Sequence, residues 1–290
     1  ECPDLFELPV DGTDKKKWVL LCNLNPGGPF GGSATQYFVG DFDGAVFTPD
    51  LDAEGKVPTK WMDFGKDHYA TVSFSDAPDN RRTVIGWMSN WQYAAEVPTM
   101  QFRSANTLPR DVSLFTGADG QLYLASAPSP EVDAMRGAVV KKAGKTSLSS
   151  KPREYRLPTA NDGICEIDLD LAAKGAAQVT MTLSNAKGDK VVMTYDAAAR
   201  TLAFDRRESG LVDFSQDFPA VTVAPVLGGN DKLSLRIFVD RSSVEVFGDD
   251  GQMAMTNLVF PQEPYTTLSV SAQGKADMAS LAIYGLNPSK

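Results

Sequence analysis

Histidine is nearly missing from this chain, and cysteine is sparse. His68 is the one histidine, and Cys2, Cys22 and Cys165 are the three cysteines scattered over 290 residues. Zinc sites draw on closely spaced Cys and His pairs, and disulfide frameworks on an even number of cysteines; neither pattern is present. The thiols are expected to be free and buried in strands, the usual state of unpaired cysteine. A lone histidine carries no base chemistry by itself, and no metal or organic cofactor is expected.

Long apolar runs are lacking too. Crossing a bilayer takes about 20 consecutive apolar residues. No segment approaches that length, and no basic stretch followed by an apolar one opens the chain. No membrane-spanning segment is expected, and any export signal is expected either to precede Glu1 or not to exist. Positive charge is in deficit, with 28 Lys and Arg against 37 Asp and Glu and a formal charge of -9. Nucleic-acid phosphates need a cationic surface, which this balance denies except as a local patch. With no basic run and no Walker-type phosphate loop, nucleic acid is not an expected partner.

What is present reads as strand. At 42% hydrophobic and 22% charged residues, the chain has an ordinary globular composition and length enough for two domains. Short runs rich in β-branched and aromatic residues, bounded by Gly, Pro, Asn or Asp, predict strands. They run over Lys17 to Asn23, Ala34 to Asp41, Tyr69 to Ser75, Thr83 to Met88, Asp111 to Phe115 and Gln121 to Ala125. Asp43-Gly44, Asp119-Gly120 and Asp250-Gly251 supply tight hairpin turns. Two prolines, Pro128 and Pro130, interrupt the pattern before a short helical stretch at Val132 to Arg136, the best linker candidate. Beyond it strands resume. Ile164 to Leu171, Gln178 to Leu183, Lys232 to Asp240, Thr267 to Ala272 and Met278 to Tyr284 are the clearest. Leu233, Leu235, Ile237 and Val239 share one face there, with Ser234, Arg236, Phe238 and Asp240 on the other. Regular strands separated by turns suggest an antiparallel sandwich.

Several independent motifs are spread along the chain from Glu1 to about Phe247. They are Glu1-Cys2-Pro3-Asp4-Leu5-Phe6, Tyr37-Phe38-Val39-Gly40-Asp41-Phe42, Trp61-Met62-Asp63-Phe64-Gly65-Lys66-Asp67-His68-Tyr69, Gly86-Trp87-Met88-Ser89-Asn90-Trp91, Thr107-Leu108-Pro109-Arg110 and Val239-Asp240-Arg241-Ser242-Ser243-Val244-Glu245. Together these resemble glycoside hydrolase family 32, the fructan hydrolases and invertases. The resemblance implies an all-β fold, with the last blades of a five-bladed β-propeller followed by a C-terminal β-sandwich. Residues 1–134 would be propeller with linker and residues 135–290 the sandwich. At roughly 40 to 45 residues per blade, the first segment should hold about three blades. The remaining blades, an upstream N-terminal propeller segment, would be this chain's partner.

Glycoside hydrolysis needs two carboxyl groups, one protonating the leaving oxygen and one attacking the anomeric carbon or activating water. By resemblance Glu1 is the proton donor. The family nucleophile sits in an Asn-Asp-Pro motif that does not occur here, and Arg110-Asp111 continues with Val112 where the family has Pro. The nucleophile is therefore expected upstream. Trp91 is expected beside the terminal fructosyl unit, since an indole face packs on sugar C–H groups; Trp87 reads as core. Asp63, Lys66 and Tyr69, with Asp67, form a polar cluster suited to the leaving-group side of a saccharide site. His68 stands where the family more often has Phe or Tyr. Arg110 reads as a structural ion-pair residue, and Asp240 and Arg241 as turn and surface residues. The expected protein is a secreted or periplasmic retaining enzyme that releases fructose from levan, inulin or sucrose. A non-catalytic carbohydrate-binding fragment and a fructosyltransferase are the alternatives.

Overall fold

The computed structural model describes residues 1–228 and 231–287. Among these residues, regular structure is extended strand apart from three short 3-10 turns. The first sheet runs in chain order through Asp4–Pro9, Lys16–Leu24, Ala34–Phe42 and Phe47–Pro49, with Lys60–Trp61 also paired to Ala34–Phe42. The second runs Leu122–Pro128, Arg110–Thr116, Thr83–Met88, Tyr69–Ser73, with Ala105–Asn106 paired to Thr83–Met88. Alternating side chains from both sheets meet in one core, in which Phe6, Leu8, Val19, Leu21, Val84 and Leu114 are buried. There are thus two blades in this segment, where spacing suggested about three. Residues 50–59 and 89–104 hold no strand, and these long loops lower the number of strands per residue.

The second small sheet ends at Pro128, and the turn Pro130–Met135 leads into Arg136–Ala143 of a large antiparallel sheet. That turn is 3-10, and Arg136 already belongs to the strand. Two strands organise the large sheet, Cys165–Ser184 and Thr267–Leu286, each of 20 residues. The sequence splits each into two because Ala172-Ala173-Lys174-Gly175-Ala176-Ala177 breaks the alternation in the first and Gln273-Gly274-Lys275-Ala276-Asp277 breaks it in the second. The strand continues through the break, with Gly175 at φ +61° and Gly274 at φ +83° and a register shift between Lys174 and Gln178. Residues 165–172 pair with Lys232–Val239, whereas residues 178–184 pair with Lys190–Asp196. The two long strands pair with each other on both sides of the shift. They therefore pass from one layer of a sandwich to the other. One layer continues through Ser243–Gly248 to Met253–Leu258, and the other through Thr201–Glu208 to Val221–Pro225. Between them lies the main core, including Ile167, Met181, Phe204, Leu235, Val246 and Val270.

The propeller segment covers the outer face of the first layer. Phe238, expected on a polar face, is 5% exposed and packs with Phe247, Val132 and Leu286, with Leu108 against them. Loop residues 62–68 lie along the edge strand Met253–Leu258: the Phe64 amide donates to the Ala254 carbonyl at 2.8 Å and that of Asp67 to Thr256 at 3.1 Å. At Gly65 a Cβ would fall 1.9 Å from the Thr256 carbonyl oxygen, so only glycine permits this approach.

Candidate active site

Glu1 stands just before the first strand, and a buried amide fixes its backbone. The Asn23 N–H donates to the Glu1 carbonyl at 3.0 Å. Asn23 Nδ2 donates to the carbonyls of Cys2 at 3.1 Å and Thr71 at 3.3 Å. Its Oδ1 accepts from the Thr71 amide at 3.0 Å and Thr35 Oγ1 at 2.7 Å. Every polar atom of this fully buried side chain is used, as burial demands. It ties the start of the first sheet to the edge strand Tyr69–Ser73 of the second.

That edge strand carries a defect that aims a side chain. Ala70 has φ +50°, and the register to Thr83–Met88 slips between Tyr69 and Val72. A left-handed non-glycine residue costs about 1–3 kcal/mol and is held where its surroundings over-determine it. Bulges of this kind re-aim side chains. Here Tyr69 Oη donates to Glu1 Oε2 at 2.5 Å. Burial first, then the hydrogen bond and charge of Glu1, raises the phenol pKa above its ordinary value, so it stays a protonated donor at neutral pH.

An aromatic shelf extends from this pair. Tyr69 meets Trp87 edge-on at 6.1 Å between ring centroids, and Trp87 meets Trp91 at 4.9 Å. Trp87 is half-buried, while Trp91 is 59% exposed at the outer end. The structure thus brings Glu1, Tyr69 and Trp91 together, with Trp87 as the bridge between the two rings.

Asp63 and Lys66 lie elsewhere, and their reading as sugar ligands is corrected. Asp63 is buried beneath the sandwich and accepts from the Gly65 amide (2.7 Å), the Thr256 amide (2.8 Å), Thr256 Oγ1 (2.7 Å) and Arg110 Nη1 (2.8 Å). Burial pushes its pKa up, but the Arg110 charge and these hydrogen bonds outweigh it and hold the carboxyl below its usual range. No lone pair is left for a sugar hydroxyl. Lys66 is likewise buried; its ammonium donates to the Asp217 carbonyl at 2.5 Å, and burial, then Arg206, lowers its pKa. Asp67 is saturated by Arg206, Tyr93 Oη and the Leu258 amide. These loop residues fasten the two units rather than line the site.

Arg110 is the ion-pair residue its context suggested. Fully buried, it bridges Asp63 and Glu245, each at 2.8 Å. His68 is buried as well, with Nδ1 3.4 Å from Thr71 Oγ1, and burial followed by the Arg110 charge lowers its pKa to about 3. It is therefore neutral under ordinary conditions. Asp240 and Arg241 are exposed, the latter paired with Asp162. Of the cysteines only Cys165 is fully buried; Cys22 is intermediate and Cys2 exposed. Among the described residues no three His, Cys, Asp or Glu side chains cluster as metal ligands.

Sequence reasoning passed over Asn23 and Arg206. An asparagine late in an apolar strand is a usable signal, because burying it requires partners on every side. Arg206 carried none, since Arg206-Arg207 reads as surface charge.

Known proteins match this architecture along its length. The profile of Glycosyl hydrolases family 32 N-terminal domain matches residues 1–126, and that of Glycosyl hydrolases family 32 C terminal matches residues 131–285. A levanase from Bacillus subtilis (strain 168) is 39% identical over 296 residues, covering 99% of this chain and 42% of the levanase. An extracellular exo-inulinase from Aspergillus niger is 37% identical over 277 residues, covering 90% of this chain and 50% of the relative. The chain thus spans about half the length of the curated relatives it matches. The crystal structure of exo-inulinase from Aspergillus awamori superposes with a TM-score of 0.88 at 34% identity, over 99% of this chain and 57% of that one. A fructofuranosidase from Schwanniomyces occidentalis complexed with fructose gives 0.84 at 29% identity, over 99% and 60%. With both profiles matched in order and the propeller portion and sandwich superposing as one, the chain belongs to glycosyl hydrolases family 32.

Proposed function

We propose that this chain is the acid/base-bearing part of a secreted or periplasmic β-fructosidase that retains configuration and releases fructose from levan, inulin or sucrose. Residues 1–134 serve as the propeller part and linker, and 135–290 as the sandwich. The observation that carries the reading is the Tyr69–Glu1 hydrogen bond of 2.5 Å beside an exposed indole shelf. Tyr69 holds Oε2, which leaves Oε1 to carry the catalytic proton.

In the first step Glu1 protonates the glycosidic oxygen as its bond to the anomeric carbon breaks, and a carboxylate attacks that carbon to form a fructosyl ester. In the second, Glu1 takes a proton from water, whose oxygen displaces the ester and frees fructose. We assign the attacking carboxylate to the upstream propeller segment, the partner of this chain. The local candidates are engaged otherwise: Asp4 accepts the Ser73 amide, Asp41 pairs with Lys17, and Asp63 with Arg110. Trp91 offers its face to the terminal fructosyl ring. The extracellular character of the relatives named exo-inulinase supports export.

The test is Glu1→Gln in the full-length enzyme. Turnover of fructosides with poor leaving groups should fall by about two to four orders of magnitude, the usual worth of general acid/base catalysis, while an activated leaving group should suffer less. Equal losses on both substrates would remove Glu1 from the role of proton donor.

A further inference from the structure

One buried side chain next to the aromatic shelf makes contacts that the chemistry above does not use. Asn90, 0% exposed, precedes Trp91 and spends its whole amide on three separate loops. Its Nδ2 donates to the Gly31 carbonyl at 3.2 Å and the Lys66 carbonyl at 2.9 Å. Its Oδ1 accepts from the Ser33 amide at 3.3 Å and the Gln92 amide at 3.0 Å. The Asn90 carbonyl accepts from the Tyr93 and Ala94 amides, closing the turn that presents Trp91. From the other side Ser33 Oγ accepts from the Trp91 N–H at 3.1 Å.

The fit is close. A Cβ on Gly32, at φ +69°, would fall 2.0 Å from Asn90 Oδ1, so the glycine loop is drawn in until backbone touches amide. Trp91 itself is 59% exposed and contacts the shelf through Trp87 alone among aromatic rings. Ring contact with one neighbour leaves the backbone of Trp91 to set where the indole stands. That backbone is held by Asn90 and Ser33.

We propose that Asn90 and Ser33 are positioning residues that fix Trp91 as a wall for the terminal sugar, locking the 31–33 loop and the Trp91 turn into one frame. The proposal rests on the reading of Trp91 as the sugar-facing ring. Because the clamp acts on a binding wall and touches neither Glu1 nor Tyr69, its loss should appear in substrate affinity before it appears in chemistry.

Steady-state kinetics on sucrose in the full-length enzyme test this, with Asn90→Asp, Ser33→Ala, Ser33→Thr and Trp91→Ala compared. Asn90→Asp keeps size and acceptor but removes the two donors. Ser33→Ala removes only the hydroxyl and decides the matter if the Asn90 variant does not fold. We expect KM to rise roughly five- to tenfold in both, about the worth of one or two hydrogen bonds, with kcat changed less than twofold and Ser33→Thr restoring KM. A merely structural role would lower the folded fraction, and with it apparent kcat, while leaving KM alone. A raised KM in Trp91→Ala beside an unchanged KM in Asn90→Asp and Ser33→Ala overturns the clamp and spares the role of Trp91. An unchanged KM in Trp91→Ala overturns both.

Discussion

Arg206 Nη1 lies 2.5 Å from Asp67 Oδ2, both side chains wholly buried although 139 residues separate them. The guanidinium comes from the sandwich and the carboxylate from a propeller loop. Arg206 also donates to Tyr93 Oη and to the Phe218 and Leu258 carbonyls, and stacks on the Phe218 ring at 3.9 Å. Removing one member of such a pair strands the other charge away from water, which costs about 3–5 kcal/mol. Arg206→Met should lower unfolding stability by that amount in denaturant titration. Adding Asp67→Asn should recover part of the loss, since the orphaned charge is then gone. A double variant no better than the single one would mean that the packing of Arg206, rather than its charge, holds the units together.

Tyr69→Phe should retain the fold, because the ring stays in place against Trp87 and only a hydroxyl is lost. A hydrogen bond to a charged group is worth about 1.5–3 kcal/mol, so kcat/KM for fructosides should fall roughly 10- to 100-fold. Equal activity in wild type and variant would show that Glu1 needs no help from this strand.

The two indoles should part company on truncation. Trp91→Ala removes an exposed ring, so fructose binding should weaken with little change in Tm. Trp87→Ala removes the bridge between Tyr69 and Trp91 and should lower Tm by several degrees, the effect of about 1–2 kcal/mol. A large Tm loss for Trp91→Ala with normal specific activity in the folded fraction would reverse the assignment.

Stability should also depend on pH through His68. An unperturbed histidine titrates near 6.5, whereas burial and then the Arg110 charge bring this one down to about 3. Between those values the unfolded chain binds a proton that the folded chain refuses. Its contribution to stability is therefore complete above about pH 6.5 and is lost as pH falls towards 3, by at most about 1.4 kcal/mol per pH unit. His68→Phe should flatten this window, since Nε2 has no partner to lose. Denaturant unfolding at pH 7, 5 and 4 would show it, and a parallel acid loss in both proteins would assign the effect to other groups.

Many strands that put one face against a core were legible, but Asp4–Pro9, which buries Phe6 and Leu8, was missed. Thr83–Met88 was read to the residue, because Thr83, Val84, Ile85 and Trp87 make a β-branched and aromatic run. Arg136–Ala143 was invisible, since it is largely exposed and has no buried face to write a period. The site was legible only in part, for the same reason of locality. Glu1, Tyr69 and Trp91 are candidates through their motifs, but Asp63 and Lys66 read as saccharide ligands until their partners appear. Those partners stand 193 residues away for Asp63 and 151 for Lys66. No local pattern encodes a contact at that distance.

The long pair Cys165–Ser184 and Thr267–Leu286 has a further consequence. Each strand hydrogen-bonds within both layers of the sandwich, so neither layer can melt while the other keeps both strands intact. Amide exchange along residues 165–184 and 267–286 should then report a single opening event, with the C-terminal unit behaving as one foldon rather than two sheets in contact.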